Sequence, residues 1–228
     1  TYTRFLDLQK AEAQAREAEI QLVLERVRAK TMAMQRSDEL KDVAHELRVQ
    51  LASLGASDLE TSAINLYEEH ENSIEAWAAV RAPGSPDYIQ EFHFLLPKKG
   101  IYLIEDMLVA YASGIEEYLF ELTGEKALQW MNVIAEKIPE MFAAAAGTSE
   151  SKNSGNVHAW FSCHYFNGGV LIMITMTPPD EESRSILKRC TQVFGHAYRR
   201  FADLKKAEAQ AKEAQIEAAL ERVRAKAM

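Results

Sequence analysis

Apolar residues follow helical spacing at both ends of this chain and two-residue alternation through much of its middle. Thr3 to about Met34 holds no Gly or Pro and is rich in Ala, Gln, Glu, Arg and Leu, the strong helix formers, so a long helix is predicted there. Along it Leu8, Ala11, Ala15, Ala18 and Leu22 trace one 3-4 seam, and Ile20, Leu24 and Val27 trace a second, offset from the first. Such a shift is that of a stutter in a parallel coiled coil, where a small-residue seam hands over to larger knobs. The competing reading is a helix packed on its own domain.

A helix restart is predicted at Ser37 to Leu40, with Ser37 as N-cap, and an amphipathic helix to about Leu54 that Gly55 closes. Thr61 to Glu69, Ile74 to Arg81 and Tyr88 to Leu96 read as strands, parted by Glu71-Asn72-Ser73 and by Pro83-Gly84-Ser85-Pro86, the first two forming a hairpin. Ile101 to Leu122 and Glu125 to Ala146 have helical length and spacing, with breaks at Gly114 and Gly124. Gly147 to Asn156, rich in Ser, Asn and Gly, reads as a mobile loop. Val157 to Phe166 and Val170 to Thr177 form a second hairpin turned by Asn167-Gly168-Gly169. Pro178-Pro179-Asp180-Glu181 then opens a last helix running to the end, with Gly195 its weak point. The class is α+β.

The two ends repeat each other. Arg4 to Met32 and Arg200 to Met228 match at all but eight of twenty-nine positions, at a constant offset of 196. Self-similarity of this kind marks a boundary element of a tandem array, so the chain is expected to be one unit of a longer protein, and Thr1 in place of an initiator Met agrees. The divisions are 1–34, 35–198 and 199–228, which leave a middle segment of about 165 residues, an ordinary domain size.

Composition narrows the partners. A net charge of −8 argues against a nucleic-acid groove or an anionic membrane surface, both of which need clustered Lys and Arg. No window approaches eighteen apolar residues, and no signal-peptide pattern is present. Cys163 and Cys190 lack the CxxC spacing of a zinc ribbon, and two thiols make no disulfide framework; both are expected reduced, in the cytoplasm.

The order helix, hairpin, third strand, helical excursion, Gly-Gly hairpin, long exit helix resembles the GAF family of sensory domains. The pieces RFADLKKAEAQAKEAQIEAALERVRAKAM, MAMQRSDEL and YFNGGVLIMI are similar to repeated GAF-like modules of bacterial sensor histidine kinases and cyclase-like signalling proteins. That resemblance implies a GAF-like antiparallel sheet with helices packed on it, flanked by long helices of coiled-coil type: a signalling helix over 1–34, a sensory domain over 35–198 and a second signalling helix over 199–228. It implies a non-catalytic input module of a two-component protein that senses a small ligand or partner and acts on neighbouring domains. The Asn-Lys, Phe and Asp-Glu pattern of cyclic-nucleotide-binding members is not evident, and neither cysteine suits tetrapyrrole attachment, so the cofactor or ligand stays unknown.

Homodimerisation is expected through Leu8, Ala15, Leu22, Leu24 and Val27 and their downstream counterparts Leu204, Ile216, Leu220 and Val223. For a pocket between sheet and helices the aromatic stock is Trp77, Phe92, Phe94, Tyr111, Tyr118, Trp130 and Trp160, with Glu91, His93 and His158 as its polar groups, against the plainer reading of core aromatics. His45-Glu46-Leu47-Arg48-Val49-Gln50-Leu51 resembles the H-E-L-R-x-P-L phosphoacceptor box without its proline, and amphipathic helices also produce such runs. His158 and His164 on one strand stand about 20 Å apart, too far to share a metal. No nucleophile elbow, P-loop, HExxH or dinucleotide turn is present, and Glu116-Glu117 and Glu181-Glu182 read as solvated surface. The alternatives to sensing are a structural dimerisation spacer without a ligand and a phosphoacceptor segment using His45.

Overall fold

The computed structural model describes residues 2–55, 59–68, 70–81, 88–146 and 158–226. Helix α1 (Tyr2–Met32) leads through a 3-10 turn (Ser37–Glu39) into α2 (Leu40–Ser53). Strands β1 (Leu59–Leu66), β2 (Ser73–Arg81) and β3 (Ile89–Pro97) follow, then α3 (Tyr102–Ala112), β4 (Glu117–Leu122), α4 (Gly124–Lys137) and α5 (Pro139–Ala146). Strands β5 (Ala159–Phe166) and β6 (Gly169–Thr175) precede α6 (Glu181–Lys226), a single helix of 46 residues. The expected turn at Pro83–Pro86 and loop at Gly147–Asn156 lie outside the described residues.

All six strands join one antiparallel sheet in the order β3-β2-β1-β6-β5-β4, so the architecture is the α+β one expected, with helices on the sheet and a long helix at each end. Strand parity divides the core in two. Ile64, Leu66, Trp77, Leu171 and Met173 face α1, α2 and α6. Ala78, Val80, Leu96, Phe161, Cys163 and Ile172 face α3, α4 and α5.

The helical excursion differs from expectation. Gly114 takes φ +76°, a left-handed cap that stops α3, and residues 117–122 form an edge strand paired with β5 rather than more helix. The run Glu-Tyr-Leu-Phe-Glu-Leu alternates, burying Phe120 and Leu122, and its aromatics favour a pleated surface. The second stretch breaks at Pro139, whose missing N–H ends one helix and starts the next. At the α2 restart the Glu39 carboxylate accepts from the backbone N–H groups of Gln35 (2.7 Å) and Arg36 (3.3 Å). Asp180 caps α6, accepting from the Ser183 N–H at 2.6 Å.

Helix α6 does not break at Gly195. A Cβ placed there would stand 2.8 Å from Cβ of Phe166, so the glycine lets the helix lie directly on β5. Its role is close approach rather than flexibility. Alanine gains about 1 kcal/mol over glycine in helix propensity, whereas overpacking a tight contact costs roughly 1–3 kcal/mol. Gly195→Ala is therefore expected to lower the thermal midpoint, and Gly195→Val to lower it further. A midpoint at or above that of the unmodified chain for Gly195→Ala would show that Phe166 yields freely.

Candidate functional site

On the α3–α5 side, Trp130 of α4 is half-buried and meets Phe161 edge-on at 6.1 Å. Around them are two adjoining apolar cavities of about 30 and 80 Å³, both lined by Thr61, Trp130, Met141, Phe161 and Ile174. Small-molecule sites commonly measure roughly 300–1,000 Å³, so among the described residues the space beside Trp130 is close to filled. A larger, open cleft of about 710 Å³ lies between the start of β3 and α5, lined by Tyr88, Ile89, Gln90, Glu91, Phe92, Glu140 and Ala143. Tyr111 of α3 packs edge-on against Tyr67 at 5.0 Å. Its hydroxyl accepts from the Gly168 N–H at 3.0 Å and donates to Glu68 at 3.3 Å, which ties α3 to the β5–β6 turn. Tyr118 sits on edge strand β4, exposed beside Phe120.

Of the other sequence-predicted pocket residues, Phe92 and Phe94 share this side and the rest lie on the opposite face. Trp77 is fully buried under the α2 layer and stacks on His93 at 4.7 Å. His93 hydrogen-bonds Glu75 at 2.8 Å, and Glu91 meets Nδ1 of His45 on α2 at 2.6 Å. His158 pairs with Glu121 at 2.8 Å near the half-buried Trp160, whose indole N–H is buried without a partner among the described residues. These residues are thus not one pocket: Phe92, Phe94, Tyr111, Tyr118 and Trp130 are separated by the sheet from Trp77, Glu91, His93, His158 and Trp160. Two-residue periodicity is the cause, since Phe92, Phe94 and Leu96 take one side of β3 and Glu91 and His93 the other.

The HELR stretch lies on α2. His45 engages Glu91 through Nδ1, while Arg48 is buried and its guanidinium is pushed down to about 10 by desolvation, with the nearby Arg81 charge adding to it. Arg81 itself pairs with Glu60.

A polar cluster that sequence reasoning passed over joins β4, β5 and α6. Glu117 accepts from Arg184 at 2.9 Å and stands 3.5 Å from Nε2 of His164, and Glu116 accepts from Lys188 at 3.0 Å. On α1, Arg16 donates to Glu182 at 2.7 Å, and Arg189 makes two bonds to Glu17 at 2.6 and 3.0 Å. Glu116, Glu117 and Glu182, read as bare surface, are therefore ion-pair partners between elements. The signal was the spacing of Arg184, Lys188 and Arg189 on one helix. His164 is 2 % exposed, and burial pushes its imidazole down while Glu117 works against that.

The helix seams also divide. Leu8, Ala15 and Leu22 are exposed, but Leu24 and Val27 are buried with Ile20 and Val23 against α2 and α6, so the domain's own core uses them and they are not available to a second chain. Ile216 and Leu220 are exposed on α6; the side chains of Leu204 and Val223 lie outside the described ones. Cys163 and Cys190 are free and buried, and burial pushes the Cys190 thiol up to about 12, which keeps it inert near neutral pH. Among the described residues no three His, Cys, Asp or Glu side chains are placed to hold a metal ion, and no helix is long and apolar enough to cross a membrane.

No family model matches the chain, and no curated protein matches it. Among solved structures it is similar to the GAF domain from Acinetobacter phosphoenolpyruvate-protein phosphotransferase, at 17% identity and a TM-score of 0.37, over 77% of this chain and 92% of that one.

Because His164 is held neutral by burial, the unfolded chain takes up a proton that the folded chain resists as pH drops below about 6.5. Its contribution to stability is complete above that value and is lost as pH falls towards the lowered folded one. Urea midpoints at pH 7.5 and 5.5 should therefore differ less in His164→Gln than in the unmodified chain. An unchanged difference would assign the proton uptake to another group.

Proposed function

We propose that this chain is a non-catalytic relay module of a bacterial signal-transduction protein of the sensor histidine kinase type, coupling an incoming helix, α1, to an outgoing helix, α6. The observation that carries this reading is that the second half of α1 and the first half of α6 belong to one core layer on the sheet. They run parallel there, as the contacts of Arg16 and Glu17 with Glu182 and Arg189 and the exposed start of α1 and end of α6 require. A shift of either helix must be shared by the other, because packed cores rearrange between discrete states rather than deform continuously.

A contact route also joins the α3–α5 layer to the exit helix. Tyr111 holds Gly168 of the β5–β6 turn, Phe166 flanks that turn, and its ring meets Phe194 at 5.1 Å and Tyr198 at 5.8 Å on α6. A small apolar ligand entering beside Trp130 would act along this route only by favouring one packing over the other. The small cavities beside Trp130 favour a relay, or a spacer that holds helix geometry, over a preformed ligand site at that position. The exposed seam Leu8, Ala15 and Leu22 is the surface for a homodimer partner.

Relay through a helix depends on its phase. In the full-length signalling protein, inserting one or two residues after Ala211 rotates everything downstream by about 100° or 200°, whereas seven residues nearly restore the phase. Output is expected to be lost or locked with the short insertions and regulated again with seven. Output that ignores all three insertions would sink the relay reading.

A further inference from the structure

The two copies of the repeated helix have complementary exposure. Phe5 is 56% exposed in the first copy, while its counterpart Phe201 is 7% exposed at the end of the α6 packing. Further along the relation inverts: Ile20 and Leu24 are each 6% exposed, and their counterparts Ile216 and Leu220 are 53% and 52% exposed. Each copy is therefore seen doing half of what its sequence is built for. The start of the repeat seals the core of the domain before it, and its later half seals the core of the domain after it.

We propose that residues 212–226 are a docking helix for a second domain of this same kind, seated in the groove between its α2 and α6 where the second half of α1 lies in this chain. The apolar positions are reproduced, with Ile216 and Leu220 identical to Ile20 and Leu24 and only Ala219 smaller than Val23. The polar register is reproduced as well. Lys212 and Glu213 stand where Arg16 and Glu17 bond Glu182 and Arg189, so the same two groups of the second domain would receive them. A face made for symmetric pairing with another chain would have no use for that ion-pair pattern.

The spacing is sterically feasible. The packed part of α6 centres near residue 190 and the copied docking face near residue 220, about 45 Å apart along a continuous helix. A domain of about 165 residues is roughly 40 Å across by its expected radius of gyration. Two domains on one helix would thus sit side by side without overlap, each completed by a different half of it. This inference stands on burial and repeat alone and does not depend on the signalling reading.

The test is the full 228-residue chain beside the same chain extended at its end by a second copy of residues 33–228. With Ile216→Cys, maleimide labelling is expected to be at least about tenfold slower in the extended protein, while the native thiols are buried in both. Leu220→Asp should leave the melting of the 228-residue chain unchanged but remove or sharply lower the transition of the added domain, with the first domain's transition kept. Equal labelling rates in the two proteins overturn the proposal, whether or not the added domain folds, and so does an added-domain transition indifferent to Leu220→Asp. Concentration-dependent protection of Ile216→Cys in the 228-residue chain also overturns it, since the face would then be covered by another chain.

Discussion

The structure depends on closure of one core layer by segments from opposite ends of the chain. Ile20, Val23, Leu24 and Val27 of α1 pack with Leu187, Cys190 and Phe194 of α6 and with α2 over the sheet face carrying Trp77 and Met173. Burying an aliphatic side chain is worth about 1.5–3 kcal/mol, so four of them represent on the order of 6–12 kcal/mol. Domain stability is typically about 5–15 kcal/mol in total. The N-terminal helix is accordingly an integral part of the domain.

The charged contacts between α1 and α6 have a different role. Glu17 and Glu182 are largely solvated and Arg16 is half-buried, and ion pairs at such exposure add little to stability. Their value is in register: hydrophobic packing tolerates sliding, and the two hydrogen bonds from Arg189 to the Glu17 carboxylate, which is held down to about 2 by Arg189 and by Gln21 of its own helix, tolerate much less. An aromatic series continues the same alignment, with Phe166 on Phe194, Phe194 stacked on Tyr198 at 5.6 Å, and Tyr198 beside Phe201. It ends where α6 leaves the domain.

Much of this was legible in the sequence, and the failures have physical causes. Both long helices and both hairpins followed from breaker-free runs and turn chemistry. Strand β4 was misread because its alternation sits between Gly114 and Gly124 within a stretch whose overall apolar content suits either structure. The assignment of Leu24 and Val27 to a dimer failed because periodicity shows that a helix has an apolar face but not what covers it. Part of the pocket fails on parity: Glu91 and His93 alternate with Phe92 and Phe94, which places them on opposite sides of the sheet, whereas the side taken by Tyr111 and Trp130 depends on where α3 and α4 pack. The cluster of Glu117, His164 and Arg184 is not legible in the sequence, because it depends on residues 117–122 pairing with β5 as a strand.

The differences between the two copies of the repeat carry the last constraint. Of the eight, Leu6, Gln9, Glu19, Gln21 and Leu22 are exposed in the first copy and are free to vary. Phe5 is also exposed there, yet it is retained as Phe201, which is buried. A helix packed against a single domain has no reason to keep Phe5, whereas one shared by two domains must satisfy both cores. The exchange of Val23 for Ala219 then makes the two joints unequal, since losing two methyl groups from a buried position costs about 1.5 kcal/mol. The downstream joint is the weaker one, so a strain applied along the shared helix would release there before it disturbed the core that α1 closes.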